Sequence, residues 1–354
     1  MATERLLLVR NDKLGDFMLA WPAFALIKHY WPELHITALV PEYTAEIARL
    51  CPWIDELLID HGEGTWKLSR EIKGGNFSAV LTLFSTGRVA LASLLAGVPY
   101  RLAPATKIAQ LCYNHRLTQR RSHSKKPEYL YNTDLAYQLL QDFNKVAQDS
   151  SLSIGDNDLL PAAISRPLLK FDDDVTALRE QFITTHNLDK DLSGQSKLIF
   201  IHPGSGGSAN NLSIVQFSEL ARKIAEKSKN KVAFVITAGP GEENIARELI
   251  EIISANYPAT LFKSDSGIEG FARTLQIADL FISGSTGTLH IAGAMNCNTA
   301  GFYPRHRSAT PLRWQTLNSP ERRLAFTPPD NAVKDNLSTV EIDRAAIKIV
   351  KQLL

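Results

Sequence analysis

Short runs of aliphatic and β-branched residues recur along the chain, separated by longer stretches whose apolar positions repeat at helical spacing. This alternation predicts repeated strand–helix units around parallel sheets, an α/β fold. In the first half the strands fall near 5–10, 35–40, 55–59, 78–84 and 99–103. The clearest helices there run from Asp16 to Tyr30 and from Tyr129 to Phe143. From Gln148 to Ser165 the rhythm is lost and Asp, Ser, Gly and Pro collect, as in a connection between domains.

The pattern then begins again. Strands are expected at Leu198–His202, Val232–Ile236, Asp279–Ile282 and Thr299–Tyr303, with helices at Ile214–Lys227 and Glu242–Ile253. Thr339 to Leu354 reads as an amphipathic helix begun by Ser338 or Thr339, with Glu341 completing a capping box. The expected organisation is a first α/β domain over 1–160, a second over 161–335 and a terminal helix over 336–354. A cleft lined by strand ends of both domains is the default ligand site of such a pair.

At 354 residues the chain is long enough for two cores. Hydrophobic residues at 44% and charged residues at 21% match a soluble globular protein, and a net charge of +2 implies no general affinity for nucleic acid. Cys51, Cys112 and Cys297 are odd in number and far apart, which excludes a disulfide framework and a paired zinc spacing and suits a reducing cytoplasm. The apolar run after Met1–Arg5 is too short for a signal-peptide core, and Val89–Val98 is too short to span a bilayer. Membrane contact is therefore expected to be peripheral.

Two polar turns carry the candidate chemistry. Ser283–His290 follows an apolar strand and opens a helix-like stretch, so its small residues and free amides suit a phosphate, or simply close packing. Asn11–Asp16 follows the first strand and places Asp16 at a helix start, where it serves either as a cap or in ligand chemistry.

Three markers in this order resemble glycosyltransferase family 9, the heptosyltransferases of the bacterial lipopolysaccharide inner core: Arg10–Asp16, His202-Pro203-Gly204 and Ser285–His290. Ala96–Arg101 and Glu128–Asn132 are further similar stretches. The resemblance implies a GT-B architecture of two Rossmann-like domains facing across a cleft, with donor bound mainly by the second and acceptor by the first. Its terminal helix would cross back to the first domain. It also implies inverting transfer from an ADP-heptose donor to a lipopolysaccharide core or lipid-linked saccharide, with no metal, no cofactor and no nucleic acid, at the cytoplasmic face of the inner membrane.

In that scheme Asp16 matches the family's general base, Asp12 is a fallback carboxylate, and Arg10 and Lys13 are candidates for acceptor anions. The departing diphosphate would meet the amides of Thr286, Gly287 and Thr288 and the Thr286 hydroxyl, with Ser285 and Ser205 in the two small-residue turns beside it. His290 matches a family histidine that donates to phosphate or packs. Glu242, or less favourably Glu243, would accept from the donor ribose or merely start a helix. Many family members carry a phosphate-binding lysine where this chain has Asn210, so donor affinity is expected to differ; Lys263 and Arg305 are possible substitutes.

Asp172-Asp173-Asp174 resembles a metal-binding acidic run but reads better as acids at a helix start. The stretch His115–Lys126, with Arg116, Arg120, Arg121, Lys125 and Lys126 and no carboxylate, is either a solvated loop or a trap for an acidic acceptor or anionic headgroups. Two other functions fit the same features: a nucleotide-sugar 2-epimerase of like fold, and a binding protein with a degenerate donor site.

Overall fold

Leu6, Leu7, Leu8 and Val9 are all fully buried in the first strand, β1 (Arg5–Val9), because a central parallel strand is covered on both faces. The computed structural model describes residues 4–106, 108–147, 160–162, 164–188, 196–207 and 210–354. Two compact units result, Met1–Ser165 and Arg166–Leu354, close to the expected boundary after residue 160. The expected connection, Gln148 to Ser165, lies mostly outside the described residues.

In the first unit β1 is joined by β2 (His35–Pro41), β3 (Glu56–Asp60), β4 (Ala79–Thr82), β5 (Tyr100–Pro104) and β6 (His115–Leu117). All pairings are parallel and the order is β3-β2-β1-β4-β5-β6. The short, partly exposed β6 is cut from the basic run and has no apolar signature to announce it. Instead of one helix from Asp16 to Tyr30 there are two, Leu14–Met18 and Trp21–Tyr30. Pro22 accounts for the break: it has no N–H to give, and its ring would strike the carbonyl four residues earlier in a continuous helix.

The second unit repeats the plan with β7 (Lys197–His202), β8 (Val232–Thr237), β9 (Ala259–Phe262), β10 (Leu280–Gly284), β11 (Thr299–Phe302) and β12 (Arg323–Phe326). Its order, β12-β11-β10-β7-β8-β9, is that of the first sheet read from the opposite edge, and it is again wholly parallel. Helix Ile214–Lys227 buries Phe217, Leu220, Ala221 and Ile224 at helical spacing, and Ser213 and Gln216 close a capping box at its start.

The terminal helix spans Ile342–Leu353, and its apolar face (Ile342, Ala345, Ala346, Ile349, Leu353) belongs to the second unit's core, against helix Ile214–Lys227; the expected capping box is not formed. Its N-cap is Glu341 without a side-chain cap; Asn336 caps the preceding single turn, accepting from the Ser338 amide at 3.0 Å. In each sheet the strand order reverses once, between β1 and β4 and between β7 and β10. Open α/β sheets take ligands at the carboxyl ends of strands at such a reversal.

Candidate functional site

The loop leaving β1 begins with Arg10, whose side chain is 1% exposed although it is a cation. Such a charge is tolerated only when paired and hydrogen-bonded. Arg10 Nε donates to Asp12 Oδ1 at 2.8 Å, Nη2 to Asp16 Oδ1 at 2.5 Å, and Nη1 to Asn132 Oδ1 at 3.2 Å and Glu128 Oε1 at 3.4 Å. Glu128 and Asn132 come from helix Glu128–Asp142, and Asn132 Nδ2 donates to the Leu19 carbonyl at 3.0 Å, tying that helix to the break between the first two helices. Asp16 is therefore not a helix cap. The N-cap position belongs to Lys13, and the Asp16 carboxylate is held sideways by Arg10.

Arg121 completes the cluster, donating to Glu128 Oε1 at 2.6 Å, Asn132 Oδ1 at 3.3 Å and Gln119 Oε1 at 2.8 and 2.9 Å. Two guanidinium groups thus stand among three carboxylates, an excess of one negative charge when all are ionised. Burial pushes Asp16 above the ordinary carboxylate range, with Arg10 opposing and Glu128 adding to the rise. Burial likewise raises Asp12, to about 6, against the pull of Arg10. Burial alone would lower Arg10, but the surrounding carboxylates outweigh it and keep the guanidinium charged. The result is a carboxylate with 15% of its side chain still open to solvent and raised basicity, at the reversal of the first sheet.

Of the other expected acceptor cations, Lys13 and Arg120 are exposed, whereas Arg121 faces inward to Glu128. Lys126 pairs with Asp134. The basic run is thus divided: Arg121 and Lys126 meet carboxylates that follow them in the chain, and Arg116, Arg120 and Lys125 remain exposed.

In the second unit, helix Gly287–Ala294 starts directly after β10, and its N-cap Thr286 makes no side-chain cap. The first-turn amides of Gly287 and Thr288 are left for another acceptor, beside the positive end of the helix. Thr286 itself differs from expectation: its N–H donates to the Gly284 carbonyl at 2.8 Å, and its hydroxyl lies between those of Ser283 at 3.0 Å and Thr288 at 2.9 Å. Ser285 is partly exposed in this turn. His290 is 3% exposed, and burial lowers its imidazole to about 4, so it stands neutral in the helix.

The turn after β7 packs on the same place. Asn211 Nδ2 donates to the carbonyls of Pro203 at 2.9 Å and Gly204 at 3.0 Å, and its Oδ1 lies 2.8 Å from where a Cβ on Gly284 would stand. Gly284 must therefore be a glycine for the two turns to meet. Ser205 is half-buried in this turn, and Asn210 is exposed with its amide 3.4 Å from the Asp335 carbonyl. Glu242 spans two loops: Oε1 accepts from Gly206 N–H at 2.8 Å, Oε2 from Gly239 N–H at 2.9 Å, and His202 Nε2 is 3.4 Å from Oε2. His202 Nδ1 lies 2.9 Å from the Thr237 hydroxyl. Both Glu242 oxygens thus pin the turns after β7 and β8.

The model for glycosyltransferase family 9 (heptosyltransferase) matches residues 65–325. A Haemophilus influenzae protein, provisionally named a glycosyltransferase, is 40% identical over 98% of this chain and 96% of its own length. The chain belongs to glycosyltransferase family 9. Its fold is that of the GT-B heptosyltransferases: Escherichia coli ADP-heptose lipopolysaccharide heptosyltransferase II superposes with a TM-score of 0.72 at 14% identity, covering 99% of this chain and 98% of that one. A family 9 glycosyltransferase from Veillonella parvula gives 0.75 at 15% identity over 100% and 98% of the two chains. The E. coli heptosyltransferase WaaC with ADP gives 0.65 at 16% over 98% and 99%.

In this heptosyltransferase-like enzyme the remaining candidates have structural partners. Lys263 pairs with Glu243, and Arg305 with Asp330. Asp174 caps helix Val175–Thr185, and Asp173 binds Arg273 Nη1 at 2.8 Å, so the acidic run serves a helix start as its sequence suggested. Sequence reasoning missed the roles of Glu128, Asn132 and Asn211. The first two lay within a stretch marked only for its resemblance, and the third beside the more conspicuous Asn210.

Proposed function

We propose that this family 9 enzyme transfers a heptose, or a related sugar, with inversion from an ADP-sugar to a saccharide of the lipopolysaccharide inner core, with Asp16 as general base. The observation that carries the reading is the Asp16 carboxylate: buried enough to gain basicity, still open to solvent, and fixed by Arg10 at the carboxyl end of β1. Asp16 takes the proton of the acceptor hydroxyl as its oxygen bonds to the anomeric carbon, and the bond to the ADP oxygen breaks. The amides of Gly287 and Thr288 and the positive helix end receive the charge on the leaving diphosphate. The names of the E. coli neighbours, one an ADP-heptose enzyme and one holding ADP, support the choice of donor. We take the reaction to need no metal ion, since Asp173 and Asp174 are engaged by Arg273 and a helix start; unchanged turnover in EDTA tests this.

Asp16→Asn tests the base directly. It should lower kcat by about 10²–10⁴-fold while ADP binding stays within twofold, and full turnover in the variant would remove Asp16 from the reaction.

For a lipid-linked acceptor we further propose peripheral contact between the first unit and the cytoplasmic face of the inner membrane. No helix among the described residues is long and apolar enough to cross a membrane. Ile108 and Leu111, on one face of a 3-10 turn, are 83% and 74% exposed. They lie in the stretch from Ile72 to Pro127, which holds nine Lys and Arg and no Asp or Glu. Exposed apolar side chains in the same stretch as the exposed cations Arg116, Arg120 and Lys125 suit an anionic lipid surface.

A further inference from the structure

Three large aromatic side chains are displayed to solvent along the carboxyl edge of the first sheet. Tyr43, 58% exposed, is the second residue of the helix after β2; Trp66, 71% exposed, is the second residue of the helix after β3; Phe84, 41% exposed, follows β4. Asp16 follows β1 on this same edge. Two of the rings are fastened to the charged cluster. The Tyr43 hydroxyl donates to the Asp12 carbonyl, and the Arg10 guanidinium lies 5.8 Å from the centroid of the Phe84 ring. The Leu83 amide, next to Phe84, donates to the Val9 carbonyl, next to Arg10, at 3.0 Å, which extends the β1–β4 pairing past the end of β4.

Tyr43 and Phe84 are thus held in place yet left open to water. Rigid aromatic surface beside a few oriented polar groups is how proteins bind ligands that are apolar on one face and polar at the edge. A pyranose has that form: its ring C–H bonds make one apolar face, carrying partial positive charge toward the electron-rich face of an aromatic ring, while its hydroxyls project outward.

We propose that Tyr43, Trp66 and Phe84 form a stacking platform for the pyranose rings of the acceptor saccharide. Phe84 and Tyr43 flank the reacting sugar at Asp16, and Trp66, two strands away from β1, meets a neighbouring sugar of the same oligosaccharide. The assignment rests on the acceptor reading of the first unit. It explains why these rings stand on the sheet edge that bears Asp16. The fastened rings of Tyr43 and Phe84 need little further ordering when a saccharide binds.

The test uses a deacylated lipopolysaccharide inner-core oligosaccharide as probe. In the Asp16→Asn background, saturation-transfer NMR should show the probe's ring protons receiving magnetisation from aromatic side chains. Phe84→Ala and Tyr43→Ala should each weaken its binding at least fivefold, with ADP affinity unchanged. Phe84→Trp should restore binding. In the parent, Phe84→Ala should raise acceptor KM with a smaller change in kcat. Because the rings are exposed, the variants should stay folded, with a cooperative melt lowered by no more than the lost Tyr43 hydrogen bond or Phe84–Arg10 contact, which separates lost binding from lost folding. Parent-like affinity for the probe in the folded Phe84→Ala and Tyr43→Ala variants overturns the platform. Turnover retained by Asp16→Asn would overturn the base assignment alone, since the binding measurement needs no reaction.

Discussion

Arg10 Nη2 and Asp16 Oδ1 stand 2.5 Å apart, with the arginine side chain 1% exposed and the aspartate 15% exposed. The cation is wholly enclosed, while the carboxylate it orients retains an opening to solvent. That asymmetry suits a pair in which one member positions and the other reacts.

Removing the enclosed member should be severe. Arg10→Met leaves Asp12, Asp16 and Glu128 without their shared cation, and breaking such a buried pairing costs about 3–5 kcal/mol. Loss of the cation removes the attraction that lowers Asp12 and Asp16, so both rise further above their unfolded values. The variant should therefore lose stability as pH rises through those values and regain part of it on acidification. Urea unfolding of parent and variant at pH 5 and pH 8 measures the difference.

The activity profile should carry the same signature. Burial raises Asp16, and the general base must be ionised to act, so the acid limb of kcat should lie above the ordinary carboxylate range. Glu128 adds to that rise, so Glu128→Gln should move the limb toward lower pH. A limb that stays in place in a folded Glu128→Gln enzyme would disconnect the cluster from the base. Asp12 and Asp16 are near enough to share a titration, and the limb is read as a property of the pair.

Gly204→Ala should disturb the second unit through a steric contact. A Cβ there would stand 2.1 Å from the Glu242 carboxylate, which is fixed by the Gly206 and Gly239 amides. Overpacking of this kind costs about 1–3 kcal/mol. In a double-mutant cycle with Glu242→Ala, the penalty of Gly204→Ala should shrink, because the obstacle is gone. Thermal unfolding and ADP calorimetry report stability and donor affinity together.

Asn210→Lys should tighten ADP binding. The Asn210 carbonyl lies 3.0 Å from the Cβ position of Gly284, so residue 210 adjoins the start of helix Gly287–Ala294, and its exposed side chain leaves room for a longer one. A gain of up to tenfold in ADP affinity, about 1.4 kcal/mol, is expected by calorimetry, and it should diminish with added salt.

Membrane contact makes a separate prediction. Ile108→Glu with Leu111→Glu should greatly reduce sedimentation with anionic phosphatidylglycerol vesicles while leaving turnover of a deacylated acceptor unchanged. Equal sedimentation of parent and variant would remove this face from any membrane role.

The main features legible in the sequence were local ones. The strand-to-helix turns at 11–16 and 283–290 announce themselves through adjacent residues, and the α/β alternation follows from apolar periodicity. Pro22 was a visible break signal inside a pattern otherwise continuous from Asp16 to Tyr30. By contrast, Arg10 meets Glu128 across 118 positions, and nothing near either residue specifies the pairing. Arg121 looked like a surface cation because its neighbours in sequence are basic, yet Glu128, seven positions on, draws it inward. Strands β9 and β12 were missed because four half-buried or mixed residues make no continuous apolar run.

The two sheets share one strand order, each with its own reversal and its own set of turns. Turns grafted into one half leave the hydrogen-bonded frame of the other untouched, so the two halves can diverge in evolution at different rates.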